Sequence, residues 1–139
     1  LRFALARLVH AQSRKPYNAR ELTAAISNSP SAQHLLEMHE AHMDAFNDIH
    51  LSACWSRLAK LPHAKRKGAA SSELLVRLRQ QSIEMLQDDC MSSKALSSLA
   101  HAVATCGPPS SQKWETLWDA IASSATARVE DCSEHEISN

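Results

Sequence analysis

Along residues 46–61, FNDIHLSACWSRLAKL, apolar side chains return at Leu51, Cys54, Trp55, Leu58 and Leu61. Steps of three, one, three and three keep all five on one face of a helix. The stretch begins as the end of a preceding helix, and Asp48 marks an acidic turn between the two. The pattern then recurs. Residues 86–103, LQDDCMSSKALSSLAHAV, set Leu96, Ser97, Leu99 and Ala100 forty-one positions after Trp55, Ser56, Leu58 and Ala59. A cut-short third copy, VEDCSEHEISN at 129–139, places Ile137 and Ser138 forty-one positions beyond Leu96 and Ser97. A helix–turn–helix unit repeating near forty residues predicts an all-α fold. It would be an α-solenoid of antiparallel helix pairs whose last repeat is truncated.

Taken in order, the pattern predicts a short helical piece over 21–27, a turn at Asn28-Ser29-Pro30-Ser31, and a helix over about 32–47. Leu36, His39, Met43 and Phe46 form the buried stripe of that helix. Its partner, about 51–61, stops at Pro62, and the pair spans about 32–61. Ser71 or Ser72 caps the next helix, with Glu73 favourable against its amino-terminal dipole. Leu75, Leu78, Ser82 and Met85 or Leu86 face inward there. Asp88-Asp89 break this helix, and Ser92 or Ser93 starts its partner, with Leu96, Leu99, Ala100 and Val103 inward. Gly107-Pro108-Pro109 ends this second pair, about 72–106. A third, about 111–139, opens at Ser110 or Ser111 and carries Trp114, Leu117, Trp118, Ile121 and Ala125 inward. Its turn falls at Glu130-Asp131, and Ser133 with Glu136 gives a capping box for a final helix. A cap so close to Asn139 predicts a fold that continues past it. The expected core is Leu36, Met43, Phe46, Trp55, Leu58, Leu75, Leu78, Leu96, Leu99, Trp114, Leu117 and Ile121.

Composition fits this picture. Apolar residues at 44% suffice for a core, while two glycines and few β-branched clusters argue against strands. No apolar run approaches the eighteen or so residues of a membrane span, so no membrane partner is expected. Net charge is zero, yet the charges are segregated. Residues 1–20 hold Arg2, Arg7, Arg14, Lys15 and Arg20 without an acid. Residues 57–79 are basic apart from Glu73, and residues 114–139 are acidic apart from Arg128. Ordinary solvated helix faces explain such segregation, and so does a charged partner. The basic segment 1–20 fits either a mitochondrial targeting segment or the second helix of an upstream repeat. Because the chain starts at Leu1, it is expected to be processed or cut from something longer. Residues 21–139 are the helical-repeat domain.

Chemistry-bearing motifs are sparse. His39-Glu40-Ala41-His42 spaces its histidines three apart, where the metalloprotease motif needs four, and no third ligand is implied. Two glycines, Gly68 and Gly107, allow no phosphate-binding or dinucleotide loop. The acids at Asp48, Asp88-Asp89 and Glu130-Asp131 fall in predicted turns, where they favour the following helix start. Neither enzyme activity nor a cofactor or metal is expected. Cys54, Cys90, Cys106 and Cys132 contain no C-x-x-C pair, and Cys54 reads as a small core residue. The basic residues remain. Arg57 and Lys60 lie beside the Lys65-Arg66-Lys67 connector, followed by Arg77, with Gln81 one turn on, and Arg79; Arg14 and Lys15 precede them. On aligned repeats such residues form a positive strip suited to an RNA backbone. With all three tryptophans expected inside, recognition would rest on backbone and shape.

Residues 47–61 (NDIHLSACWSRLAKL), 92–103 (SSKALSSLAHAV) and 117–139 (LWDAIASSATARVEDCSEHEISN) resemble octotricopeptide repeats. They are also similar to the heptatricopeptide-type repeats found upstream of RAP domains and in FAST-kinase-like proteins. In that family a helix rich in small residues leads through an acidic or asparagine-bearing turn into a serine-started second helix. Ser133, Glu136, Ile137, Ser138 and Asn139 match the start of that second helix; Arg57, Leu58, Ala59, Lys60 and Leu61 match its end. The family's PPPEW-like opening is reduced here to Pro108-Pro109 and Trp114. The resemblance implies an organellar RNA-binding protein, mitochondrial or alternatively plastid, acting on messenger or ribosomal RNA. More narrowly, it implies a mitochondrial ribosome component with protein neighbours in a ribonucleoprotein. The alternative is a protein–protein scaffold without RNA contact.

Overall fold

The computed structural model describes residues 17–62, 73–106 and 114–138, with 131–138 described by their backbone alone. Among them are six α-helices, one 3-10 turn and no strand. The helices are α1 (Ala19–Ser27), α2 (Ala32–His42), α3 (Asp48–Lys60), α4 (Glu73–Gln87), α5 (Ser93–Cys106) and α6 (Glu115–Ser138); the 3-10 turn is Met43–Ala45. The expected all-α class holds for these residues. The expected caps at Ser71 or Ser72, the Gly107-Pro108-Pro109 stop, the opening at Ser110 or Ser111 and most of the basic segment 1–20 lie outside the described residues.

Helix starts follow local side-chain chemistry. Asn18, Ser31, Asn47 and Ser92 each accept a hydrogen bond from the backbone N–H three residues on, at 2.8, 3.2, 3.0 and 3.2 Å. Each thereby satisfies one of the N–H groups that a helix start leaves unpaired. At α3 the cap is reciprocal: His50 Nδ1 accepts from the Asn47 N–H at 3.0 Å. Histidine thus fills the place that glutamate holds in the usual box. α3 ends because Leu61 precedes Pro62 and is held extended, at φ −68° and ψ 141°. α4 ends at Gln87, and Asp89 then takes a left-handed φ of 54°, a region aspartate tolerates better than most residues.

Three predicted boundaries need correction. α2 stops at His42 instead of reaching Asn47: the chain tightens through Met43–Ala45, and Phe46 is extended. This lets the Phe46 ring turn inward against His39 and His50, with centroids 4.9 and 5.6 Å apart. Asp48 belongs to the first turn of α3 and is not a turn between helices. Finally, α6 is one helix of 24 residues, about 36 Å long. It runs through Glu130-Asp131 and Ser133, where a turn and a cap are predicted. No glycine or proline interrupts 115–138, and alanine recurs through its middle, so nothing local stops the helix.

Extensive packing joins each helix to the next but one. α1 lies on α3, α3 on α5, α2 on α4 and α4 on α6, while sequence neighbours touch lightly. α1 and α3 run in the same direction. Near their starts His50 Nε2 donates to the Ala19 carbonyl at 2.9 Å, and near their ends Arg57 Nε donates to the Ser29 carbonyl at 2.9 Å. The starts of α3 and α5 meet where Asp48 Oδ2 accepts from the Ser92 N–H at 2.9 Å. α1, α3 and α5 begin 29 and 45 residues apart.

One continuous core unites these helices, and eleven of the twelve expected core residues lie in it. Met43 does not: in the 3-10 turn it is half-buried, and its carbonyl accepts from Gln81 Nε2 at 2.8 Å. Trp55 is the largest of the fully buried side chains, at 0% exposure. Its ring meets Trp114 edge-on at 5.7 Å, and its indole N–H donates to Ser82 Oγ at 3.0 Å. Three helical regions therefore converge on one residue: α3, α4 and the start of α6.

Candidate nucleic-acid interface

Of the nine cations expected to meet RNA, Arg14, Lys15, Lys65, Arg66 and Lys67 lie outside the described residues. The other four are described. Arg57, in the last turn of α3, is half-buried and staples the α1–α2 turn through the Ser29 carbonyl. Lys60, one turn on, is exposed at the helix end, where a cation also complements the dipole. Arg77 and Arg79 stand two apart on α4, so they point to different neighbours. Arg77 Nε lies 3.4 Å from Glu40 Oε2 on α2, a carboxylate whose side chain is only 8% exposed. The Arg79 guanidinium sits 5.0 Å from the Trp114 ring centroid, a cation–π arrangement. Burial there pushes the Arg79 pKa down from its ordinary value. Gln81, expected on the same outer face as Arg77, instead turns inward: its Oε1 lies 2.5 Å from His39 Nε2 and its amide donates to the Met43 carbonyl. These three α4 side chains therefore fasten α4 to its neighbours.

His39 is fully buried and engaged with Gln81, while the His42 ring lies tilted against Tyr17 with centroids 5.1 Å apart. Among the described residues no three of histidine, cysteine, aspartate and glutamate come together as a metal site would require. Cys54 is completely buried, and burial pushes its thiol pKa well above the ordinary range. Cys90 is exposed. No described helix is long and apolar enough to cross a membrane.

The side chain that the sequence pattern does not single out is Arg128. It donates to Asp89 Oδ1 at 3.2 Å, to Ser93 Oγ at 3.0 Å and to the Met91 carbonyl. Those contacts clamp the α4–α5 turn onto α6. A cleft of about 870 Å³ opens beside the clamp, edged by Asp48, Asp89, Ser92, Asp119, Ser123 and Arg128. Asp48 has its carboxyl held below the ordinary value, chiefly by the Ser92 N–H. The only signal of the clamp in the sequence is a lone arginine inside an acidic run.

The chain matches no known family model, no curated protein and no solved structure.

Proposed function

We propose that this chain is a stretch of α-solenoid that binds RNA through its phosphates, as a non-catalytic component of an organellar ribonucleoprotein. The observation that carries the reading is the next-but-one packing of helices, with α1 and α3 running the same way. Stacking of this kind lets a surface extend from repeat to repeat, which an extended ligand needs. The forty-one-residue recurrence of Trp55, Ser56, Leu58 and Ala59 as Leu96, Ser97, Leu99 and Ala100 supports a repeat near forty. The resemblance to octotricopeptide and heptatricopeptide-type repeats supplies the ligand class and the mitochondrial setting, with the plastid as alternative. A mitochondrial ribosome component holding ribosomal RNA is the narrower form of the proposal.

Binding of labelled single-stranded RNA across a salt series tests it. Phosphate contacts make the logarithm of the binding constant fall linearly with the logarithm of salt, by about 0.7 per contact for single strands. A steep slope is expected; a flat one overturns the reading. One observation favours a second reading, a protein–protein scaffold: Arg57, Arg77 and Arg79 are engaged within the fold, and α6 is strongly acidic. Recovery of a stable protein partner without RNA from the native complex would favour the scaffold.

A further inference from the structure

Helices that stack on one another fall into two sets of opposite charge. The set α1, α3 and α5 carries Arg20, Arg57, Lys60 and Lys94 against Glu21 and Asp48. The set α2, α4 and α6 carries ten carboxylates against three cations, Arg77, Arg79 and Arg128. Each of those three cations is drawn onto a neighbour: Glu40, the Trp114 ring and Asp89. In the first set one of the two acids is itself occupied, because the Asp48 carboxylate accepts from the Ser92 N–H. Arg20, Lys60 and Lys94 are exposed. The sequence shows a gradient from a basic beginning to an acidic end; folding turns part of it into a difference between helix sets.

Several outward positions of the first set, chiefly on α5, are also short. On α3 the exposed positions are Ile49 and Lys60, with Ala53 and Ser56 half-buried between them; on α5 they are Ser93, Lys94, Ser97, His101, Ala104 and Thr105. Short side chains and hydroxyls let a sugar–phosphate backbone approach closely and supply hydrogen bonds to phosphate oxygens. The outer positions of α2 and α4 instead include Glu37 and Glu84, each bonded by a glutamine on the same helix. Phosphates approaching there would meet like charge.

From this division we infer that the RNA backbone crosses the α1, α3, α5 face, with Arg20, Lys60 and Lys94 as its phosphate contacts, and not the Arg77–Arg79 side of α4. The inference rests on the RNA-binding reading and assigns its face. Wild type and two variants of the full chain, R20Q/K60Q/K94Q and E37Q/E84Q, test it against labelled single-stranded RNA of mixed sequence. All substituted positions are exposed, so the helical circular dichroism signal should persist in each. The triple variant should bind about tenfold more weakly, and its salt slope should fall by about two, the share of three phosphate contacts. E37Q/E84Q should bind as wild type does. Wild-type chain that fails to bind the RNA at low salt overturns the functional reading itself. Wild-type binding that the triple variant retains in full overturns only the face assigned here. Tighter binding by E37Q/E84Q overturns that face as well, because relief of repulsion would show that RNA passes over α2 and α4.

Discussion

Trp55 is the residue on which the packing of three helices depends, and its indole N–H has one acceptor, Ser82 Oγ, which in turn donates to the Leu78 carbonyl at 2.8 Å. Replacing Ser82 with alanine leaves a buried N–H without a partner. The expected loss is about 1–3 kcal/mol in urea unfolding, the desolvation cost of such a group. Truncation of Trp55 to alanine should cost more, about 3–5 kcal/mol. Cysteine reactivity offers a second check at this scale. Under native conditions a thiol reagent should label Cys90 and leave Cys54 untouched until the chain unfolds, since Cys54 is fully buried and its thiolate disfavoured. Trp55 and Cys54 were legible as inward residues because their spacing follows the helical period. The Ser82 partnership was not, since a serine on an inner stripe says nothing about which indole it will meet.

Among the elements, α3 shows how a cap does two tasks. The Asn47–His50 box starts the helix, and the same imidazole donates through Nε2 to Ala19, tying α1 to α3. The neighbouring Asp48 ties α3 to α5 through Ser92, and this bond chiefly lowers the carboxyl's pKa. A carboxyl whose pKa is lower folded than unfolded stabilises the fold above its unfolded value, near 4, and that contribution is lost as pH falls through the folded value. Unfolding measured from neutral pH downward should therefore show a stability loss beginning near or below about pH 4 that D48N lacks. Helix existence was legible in the period of Leu51, Cys54 and Leu58, and α3's stop in Pro62. Register between copies was less so. Setting Trp55 on Leu96 uses an offset of forty-one, yet the caps Asn47 and Ser92 are forty-five apart. The two alignments differ by one helical turn, and a helix face repeats nearly unchanged after a turn, so apolar spacing alone cannot choose between them. Ser133 and Glu136 misled for a related reason: a capping-box pair also fits the middle of a helix when nothing breaks the chain. Proline distinguishes the two. At 134 it would be tolerated in the first turn after a cap but disrupts a helix interior. E134P should therefore reduce the helicity of residues 130–138, as seen in backbone chemical shifts.

At the scale of the molecule, a formal charge of zero conceals where a polyanion can settle. The sequence alone revealed the basic beginning and the acidic end, but it did not show that Arg57, Arg77 and Arg79 would meet the Ser29 carbonyl, Glu40 and the Trp114 ring. Guanidinium groups reach far and bind carbonyls, carboxylates and rings equally well, so their partners depend on which helices become neighbours. Lys65, Arg66 and Lys67 stand in a different position. They follow Lys60 closely in the chain and add three positive charges to the sequence after α3. If RNA meets this half of the molecule, replacing all three with alanine should leave the helical signal unchanged, weaken RNA binding and lower its salt slope by about two. Neutralising Glu130, Asp131 and Glu134 should not weaken RNA binding, because repulsion already keeps phosphates from that end of α6. Measured side by side, undiminished binding after the first change, or a larger loss after the second, would place the ligand at the acidic end and reverse the polarity argued for this molecule.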